Sequence, residues 1–407
     1  MVAVGSSTTG AYDPDFYAQE GLILLENALG AAARVYRGID QERAGLTQFG
    51  TAKLRRPSRV TEQNAPATAA GVQTDTIDVT LPYWKETKVG LRDDEITKTE
   101  EAIIVDHIRP SMYALAQGLD QRLVQYMAQR AGNAVAWGTS SVLGNIADAR
   151  TALFDAGVPM DDPSMLHMMI SGQMENAAMK ESAFTSYTGA GDAAVLAQMT
   201  GHLGVKSGFE IFANQNANGY AAGGNTYIVH GSHADNVGAI NFGAGYAKGA
   251  ASFVVDGFTG SETLKTYESI SIALADGSTW YTTVLTNVTF STGTGTITTA
   301  DAAPSAISDN AVVKLLGAGA SKPIENGVAF HRNAFALATA PLSDLPVRMG
   351  FTEAKIGIAV DPKSGLSLRS RLYYMPDISQ CHVAFDILYG FATMDAQLAT
   401  KLERDVS

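Results

Sequence analysis

The residues whose types and spacing come nearest to a metal or acid-base site are two histidines and two runs of carboxylates. His230 and His233, in HGSH, could offer two imidazoles to a metal ion, but no nearby acidic or histidine residue completes a ligand shell. Asp161 and Asp162 directly precede a proline, which is typical of a turn or a helix cap. The run Asp93-Asp94-Glu95 suits the positive end of a helix. The sequence therefore predicts no metal site and no catalytic carboxylate.

The glycine-rich runs do not match motifs that bind phosphate. GAGASKP at Gly317–Pro323 lacks the spacing of a G-x-x-x-x-G-K-[ST] loop, and GAGYAKG at Gly243–Gly249 misses the dinucleotide pattern by one residue. Neither G-x-S-x-G nor H-E-x-x-H occurs in the sequence. We therefore predict no catalytic and no cofactor-binding residues, and we do not expect an enzyme.

The sulfur-containing residues favour packing over chemistry. Cys381 is the only cysteine and lies in a strand-like run, where a buried and unreactive thiol is expected. One cysteine excludes a disulfide framework or a thiolate zinc site within one chain. Met165, Met168 and Met169 are expected to fill a core.

A basic cluster is the one surface feature with a candidate role. Lys53, Arg55, Arg56 and Arg59 lie in Gln41–Thr74, a polar segment rich in chain breakers that predicts a long exposed loop. The cluster could be a solvated loop. It could equally be an intersubunit contact, in which arginines pair with a neighbour's carboxylates.

Composition describes a globular chain of mixed structure. With 407 residues and 46% hydrophobic content, the chain can form two or three packed units. The net charge of −12 argues against a protein that grips nucleic acid through phosphate neutralisation, although not against one that encloses it. The first 16 residues lack the features of a signal peptide, and no apolar run reaches membrane-spanning length.

Apolar periodicity predicts four helices. The longest, Asp93–Arg130, carries an apolar stripe at steps of three and four residues, with Pro110 predicting a kink or two helices in tandem. A continuous helix of this length would span about 55 Å at roughly 1.5 Å per residue. The other predicted helices are Phe16–Ile39, which Gly38 would end, Asn145–Ala156 and Ser171–Met179.

Strand patterns dominate the middle of the chain. Ile77, Val79 and Leu81 alternate with polar residues, Met165–Ile170 predicts a buried strand, and Leu203–Phe212 predicts a turn that leads into a strand. Residues 226–320 are rich in Thr, Gly, Val and Ile and predict a small barrel or sandwich. Its candidate strands are Phe253–Val255, Ser269–Leu274, Trp280–Leu285, Gly295–Thr299 and Ala311–Leu315.

The end of the chain predicts an antiparallel hairpin. Apolar and polar residues roughly alternate in Leu366–Tyr374 and His382–Tyr389, and Met375-Pro376-Asp377 would connect them. A hairpin this late in the chain must pair with a segment made much earlier. We therefore predict that the two ends build one domain and that another domain is inserted between them.

Several short stretches occur in the order seen in one known family. They are RVYRGID at the end of the first predicted helix, TIDVTLPYW, LRDDEIT, AGVPMDD, GVKSGFEIF, SGLSLR and FDILYG. In these stretches, which span nearly the whole chain, the sequence resembles the major coat proteins of tailed bacteriophages (Caudoviricetes), in the family of the short-tailed Salmonella phages.

The resemblance implies an α+β fold shared by tailed-phage and herpesvirus capsid proteins. It implies an N-terminal arm, an extended loop, a peripheral domain with a long spine helix, an axial domain and an inserted β-rich domain. The corresponding segments are 1–45 for the arm, 46–92 for the extended loop and return strand, 93–131 for the spine helix, 132–225 and 321–363 for the axial domain, 226–320 for the insertion and 364–407 for the peripheral hairpin and C-terminus.

The resemblance also implies a function and partners. The chain would be a major capsid protein that self-assembles, as hexamers and pentamers, into a procapsid and an icosahedral virion shell around double-stranded DNA. It would be assembled in the host cytoplasm, with a scaffolding protein, a portal and possible cement protein as partners, and with no cofactor, metal or membrane. The alternatives are another virion component, such as a tail or decoration protein, and a soluble enzyme with an inserted β-domain.

Overall fold

The structure is a computed structural model of the chain. It describes residues 14–37, 51–55, 76–92, 108–138, 141–186, 198–199, 201, 203–218, 220–221, 224–225, 228–229, 237–258, 263–316, 323–344, 349, 354–361 and 365–405.

The chain divides into two compact units. The first unit comprises Met1–Asp120 and Ala336–Met394, and the second comprises Gln121–Phe335 and Asp395–Ser407. Both units contain helices and sheets, which confirms the mixed α and β class. The division also confirms that early and late segments of the chain build one unit.

Five α-helices occur among the described residues. Serine side chains begin two of them: the Ser141 hydroxyl accepts from the Gly144 amide and the Ser171 hydroxyl from the Met174 amide. The helices are α1 (Pro14–Ala28), α2 (Arg109–Arg130), α3 (Val142–Asp155), α4 (Gly172–Lys180) and α5 (Ser182–Thr185).

The first helix is shorter than its pattern predicts. Instead of continuing to Ile39, α1 ends at Ala28, and a separate 3-10 turn follows at Ala31–Ala33. The backbone leaves helical geometry at Gly30. The amides of this turn bond to a side chain of α2 rather than to the preceding helical carbonyls, which accounts for the break.

Of the predicted spine helix, the structure describes the later part, α2. The buried residues of α2 follow the predicted stripe through Met112, Leu115, Leu119 and Leu123. Pro110 is the second residue of α2. Residues 93–107, with the predicted acidic helix start, lie outside the described residues.

Strands account for most of the remaining described chain. They are β1 (Thr51–Arg55), β2 (Thr76–Thr80), β3 (Tyr83–Arg92), β4 (Asn133–Ala136), β5 (Leu166–Ile170), β6 (Val205–Lys206), β7 (Phe209–Ala213), β8 (Tyr220–Ala221), β9 (Gly224–Asn225), β10 (Ile228–Val229), β11 (Val237–Ile240), β12 (Ser252–Asp256), β13 (Thr263–Leu264), β14 (Ser269–Ala273), β15 (Thr279–Thr283), β16 (Val288–Thr289), β17 (Gly295–Thr298), β18 (Val312–Leu315), β19 (Pro323–His331), β20 (Phe335–Ala340), β21 (Lys355–Val360), β22 (Ser367–Met375), β23 (Gln380–Thr393) and β24 (Ala399–Asp405).

A five-stranded sheet forms the centre of the first unit. Its order is β20-β23-β22-β21, and β3 pairs with β23. The predicted hairpin is β22 and β23, joined by a 3-10 turn at Pro376–Ile378. Its early partner is β3, whose Tyr83 lies opposite Tyr389 in an antiparallel ladder. The sequence prediction of a late hairpin paired with an early segment is thus confirmed.

A seven-stranded sheet organises the second unit. Its order is β4-β24-β19-β5-β7-β6, and β10 pairs with β19. The β4/β24 and β5/β7 pairs are parallel. Met168 and Ile170 of β5 belong to an apolar core that also includes Leu153 of α3 and Met174 of α4. The predicted packing role of Met168 is confirmed by its complete burial.

A six-stranded antiparallel sheet fills most of the predicted insertion. Its order is β15-β14-β18-β11-β12-β17. All five candidate strands of this region are present, and β11 is a sixth that the pattern did not reveal. A separate apolar core includes Phe253, Ile272, Trp280 and Ile297.

Three details differ from the segment boundaries inferred from sequence. β1 lies within Gln41–Thr74, which was expected to be loop throughout, because β2 supplies a ladder partner. β10 pairs with β19 of the seven-stranded sheet, although residues 228–229 fall in the predicted insertion. β24 lies between β19 and β4 in the second unit, although 364–407 was grouped with the peripheral hairpin.

Candidate functional site

Two of the four basic residues lie in a two-stranded ribbon formed by β1 and β2. The antiparallel register places Lys53 opposite Asp78 and Arg55 opposite Thr76. Arg56 and Arg59 lie outside the described residues. The structure therefore places Lys53 and Arg55 at alternate positions of one strand, and the intersubunit role of the cluster stays a prediction.

The base of the ribbon packs closely against the first unit's sheet. Val79 of β2 is fully buried in an apolar cluster with Ala336, Ala338, Ala392 and Met394.

Gly390 of β23 allows that close approach. A Cβ atom at this position would lie 1.9 Å from the Thr80 carbonyl oxygen, well inside van der Waals contact. The glycine thus fixes where β2 crosses β23, and the rest of the ribbon extends from this point.

Charged residues form a row across one face of the sheet. The strand registers place Arg369 of β22 opposite Asp386 of β23, and Asp386 opposite Glu86 of β3. Arg371 lies two residues further along β22 and therefore on the same face.

The row is joined by short contacts around one buried carboxylate. The Asp386 side chain has no solvent exposure and accepts from Arg369 Nη2 at 2.5 Å and from Arg371 Nη2 at 3.0 Å. Arg371 Nη2 also lies 2.8 Å from Glu86 Oε2, and Arg369 Nη1 donates to the Ser343 carbonyl at 2.8 Å. Two cations and two carboxylates thus tie three strands and one loop together.

Electrostatics keep Arg371 charged. Burial acts to lower the pKa of Arg371, but Asp386 and Glu86 outweigh it, and the pKa is raised. Arg371 can therefore hold β22 against β23 and β3 as a lasting cation.

The opposite face of the sheet is apolar and covered by helices. Leu368 of β22 and Phe385 of β23 lie beneath Gly21 of α1, where a Cβ atom would come within 2.9 Å of the Leu368 side chain. The sulfur of Met112, on α2, would be 3.1 Å from the same point. The missing side chain at Gly21 therefore allows α1 to sit directly on the sheet, next to α2.

Asp120 fixes the segment that follows α1. Its carboxylate accepts from the amides of Gly30, Ala31 and Ala32 at 3.0, 3.1 and 2.9 Å, and the residue is 4% exposed. A buried carboxylate with three amide donors makes charge-assisted bonds that are stronger than neutral ones. The segment after α1 is thereby attached to α2 at a specific point.

An aromatic and cationic stack lies near the other end of the charged face. The ring of His382 stacks on that of Tyr373 at a centroid distance of 5.3 Å, and Lys88 Nζ lies 5.1 Å from the Tyr373 centroid. Burial, followed by the positive charge of Lys88, lowers the pKa of His382. Gly90 faces His382, and a Cβ atom there would come within 3.1 Å of the imidazole.

The hairpin end exposes large apolar side chains. Tyr374, Met375 and Ile378 are 52%, 37% and 52% exposed, and they lie within five residues of one another. Trp84, on β3, is 57% exposed. Exposed apolar groups of this size, next to a charged sheet face, are typical of surfaces that contact other proteins.

The remaining sequence candidates show structural roles or lie elsewhere. Asp162 caps the 3-10 turn at Pro163–Met165, and its bonds to the side chain and amide of Ser164 lower the pKa of its carboxyl. This confirms the capping interpretation. Cys381 is half-buried rather than fully buried. His230 and His233 lie outside the described residues. Over the described ranges, no group of three potential ligands could hold a metal ion.

No described helix is long and apolar enough to cross a membrane.

Sequence reasoning missed the residues with the best-defined polar contacts. Asp386 stands in FDILYG and Arg369 in SGLSLRS, both in runs that were recognised as strands. A charged residue among apolar neighbours on each of two predicted strands is a signal for a cross-strand pair. Asp120 gave a weaker signal, since its partners are backbone amides 88 to 90 residues away.

No family model matches this chain. No curated protein matches it either.

Among solved structures, 89 chains match, and several of them come from phages. The structure of Mycobacterium phage Che8 is similar over 92% of this chain and 90% of that chain, with 12% identity and a TM-score of 0.47. The capsid of the cyanophage P-SCSP1u is similar over 88% of this chain and 84% of that chain, with 9% identity and a TM-score of 0.42. The mature capsid of bacteriophage PhiM1 has 9% identity and a TM-score of 0.41, over 88% of this chain and 83% of that chain.

Proposed function

We propose that the chain is a major capsid protein, a structural and non-enzymatic subunit that self-assembles into the icosahedral shell of a tailed bacteriophage. The observation that carries the proposal is the pairing of β3 with β23. It joins residues 83–92 to residues 380–389 and makes one unit from an early and a late segment of the chain, between which most of the second unit is inserted. A discontinuous unit of this kind is what the coat-protein resemblance implies for the peripheral domain.

The features of the first unit support a role in assembly. The first unit carries a two-stranded ribbon with basic residues and a hairpin end with exposed apolar side chains. They are suited to burying surface between copies. In this proposal Lys53, Arg55, Arg56 and Arg59 pair with carboxylates of a neighbouring copy, and the net charge of −12 makes such partners abundant.

The finer details of the proposal follow from the sequence resemblance. The shell consists of hexamers and pentamers, belongs to the coat family of the short-tailed Salmonella phages, and is assembled in the host bacterial cytoplasm. It encloses double-stranded DNA without sequence-specific binding, as the acidic composition favours. A scaffolding protein and a portal are its expected partners, with a cement protein as a further one.

Electron microscopy of the full-length chain tests the proposal. The chain would be expressed alone and together with the neighbouring phage genes, and assemblies would be separated by size before imaging. Shells or curved sheets of hexamers and pentamers are expected. Monomers, or small closed oligomers, in both preparations would overturn the proposal. A trimer or ring would favour a tail component, and substrate turnover by a small oligomer would favour an enzyme.

A further inference from the structure

Inside the second unit, the six-stranded sheet meets the segment around β4 through polar contacts. We call this contact the seam, and define it by Ala131, Gly132, Gln397 and Lys401 on one side and by residues 267–283 on the other. The Ser269 hydroxyl donates to the Ala131 carbonyl at 3.1 Å. The Gln397 side chain donates to the Thr279 carbonyl at 3.4 Å.

Gly132 allows the two sides of the seam to approach closely. A Cβ atom there would lie 2.8 Å from the Ala396 carbonyl oxygen and 2.9 Å from the Tyr281 carbonyl oxygen. The seam therefore brings backbone against backbone, with little room for apolar side chains between them.

The two apolar cores of the second unit do not share a residue. Trp137 belongs to the core beside the seven-stranded sheet, and Trp280 to the core of the six-stranded sheet. Among the described residues, each of these two cores lies on its own side of the seam. The contacts across the seam named above are polar.

Lys401 is the central cation of the seam. Its side chain has no solvent exposure, and Nζ donates to the Tyr267 carbonyl at 2.5 Å and lies 3.7 Å from Glu403 Oε1. Glu403 and Glu268 are each 1% exposed. Burial lowers the pKa of Lys401, while Glu403 and Glu268 oppose that shift.

The position of Lys401 follows from the alternation of β24. Leu402 faces the apolar core beside the seven-stranded sheet. Lys401 and Glu403 flank it in sequence and therefore lie on the other face of the strand. One strand thus anchors an apolar core on one side and a buried ion cluster on the other.

The backbone that Lys401 contacts is strained. Tyr267 has a φ of 72°, a left-handed conformation that bulky residues rarely adopt. Its amide donates to the Val284 carbonyl at 2.7 Å, and its own carbonyl accepts from Lys401. Both backbone polar groups of Tyr267 are thus hydrogen-bonded, and the bond from Lys401 crosses the seam.

We infer that Lys401, with Glu403 beside it on its own strand, is an electrostatic latch, which fastens the six-stranded sheet to the seven-stranded sheet through Tyr267 and Glu268, and whose loss releases the six-stranded sheet as a folded unit. The inference rests on contacts within one chain and does not depend on the proposed function.

Hydrogen exchange of the full chain, measured by mass spectrometry, tests the latch with Lys401→Met, which keeps an unbranched side chain one atom shorter and removes its charge. Amides of residues 131–134 and 267–271 should exchange about tenfold faster or more, because breaking a buried ion cluster opens the contacts it holds. Strands β12 and β17 of the six-stranded sheet should keep their protection. Lys314→Met is the matched control, since Lys314 is an exposed lysine of the same sheet.

Two outcomes would overturn the latch. One is wild-type exchange at the seam in Lys401→Met. The other is loss of protection in β12 and β17 together with the seam, which would show that the sheet unfolds instead of being released. If Lys401→Met does not accumulate as a folded protein, Glu268→Gln applies the same test, since it keeps the lysine and removes one counter-charge. Unchanged exchange at the seam in that variant would also reject the latch.

Discussion

Asp386 carries the buried charge on which the first unit's ionic row depends. Two guanidinium groups, of Arg369 and Arg371, bond to it, and its own side chain has no exposure. Glu86 contacts the same Arg371, but its side chain is 35% exposed. Two carboxylates on one sheet face therefore differ mainly in burial, which makes them a matched pair.

We expect Asp386→Asn to lower the free energy of unfolding by about 3–5 kcal/mol, because it leaves buried guanidinium charge without its partner. Glu86→Gln should cost at most about 1 kcal/mol, since solvent screens the exposed pair. Urea unfolding of both variants would measure the difference. Equal costs would contradict the assigned role of Asp386.

His331 predicts a dependence of stability on pH. It ends β19, and its Nδ1 accepts from the Asn333 amide at 3.2 Å, which requires an unprotonated nitrogen. Burial lowers its pKa below 6.5, and the charge of Asp162 only partly opposes this. The folded state thus favours the neutral ring. This contribution to stability is complete above pH 6.5 and is lost as the pH falls towards the lowered folded value.

His331→Asn isolates this effect, because an asparagine oxygen can still cap the turn but does not titrate. The free energy of unfolding of wild type and variant would be measured at pH 8 and at pH 5. Between pH 8 and pH 5, the wild type should lose more of this free energy than the variant does. A difference that stays constant across that range would show that His331 is not a source of acid sensitivity.

At the scale of elements, the crossing of β2 over β23 depends on one glycine. Gly390→Ala should lower the free energy of unfolding by at least about 1–3 kcal/mol, since the new methyl group would overlap the Thr80 carbonyl oxygen. Gly172→Ala is the control, because no atom lies within 4 Å of its Cβ position and α4 favours alanine. Thermal unfolding followed by circular dichroism would measure both. A mild effect at Gly390 would mean that β2 can shift without cost.

The elements also show what the sequence could and could not predict. Period-two alternation located β22 and β23, and composition rich in Thr, Gly, Val and Ile located five strands of the six-stranded sheet, because each carries its signal within a few residues. It missed β1 and β11, whose stability comes from ladder partners elsewhere in the chain. The break after α1 was equally hidden, since Asp120, far along the chain, supplies the carboxylate that stabilises it. The same holds for the candidate site. The sequence indicated groups of residues that are close together in the chain, but it did not indicate contacts between different strands.

At the scale of the whole molecule, the basic cluster offers a test that separates assembly from folding. Arg55→Glu combined with Arg56→Glu should impair shell formation more than it lowers the melting temperature, because the proposed partners are carboxylates of another copy. The melting temperature and the yield of assembled particles would be measured on the same preparations. Lys248→Glu combined with Lys314→Glu, at two exposed lysines of the six-stranded sheet region, is the control. Unchanged particle yield in the arginine variant would favour a solvated loop.

The pairing of β3 with β23 also sets the timing of folding during synthesis. β3 is complete at Arg92, but its ladder partner ends at Tyr389, so the strand waits for 389 − 92 = 297 further residues. At translation rates of about 5–20 residues per second, this interval lasts roughly 15–60 s. The second unit's seven-stranded sheet also needs β24, which follows β23 in the chain. The first unit's five-stranded sheet is thus finished only after β23 has been synthesised as far as Thr393, and a shorter nascent chain cannot present a completed first unit to another copy.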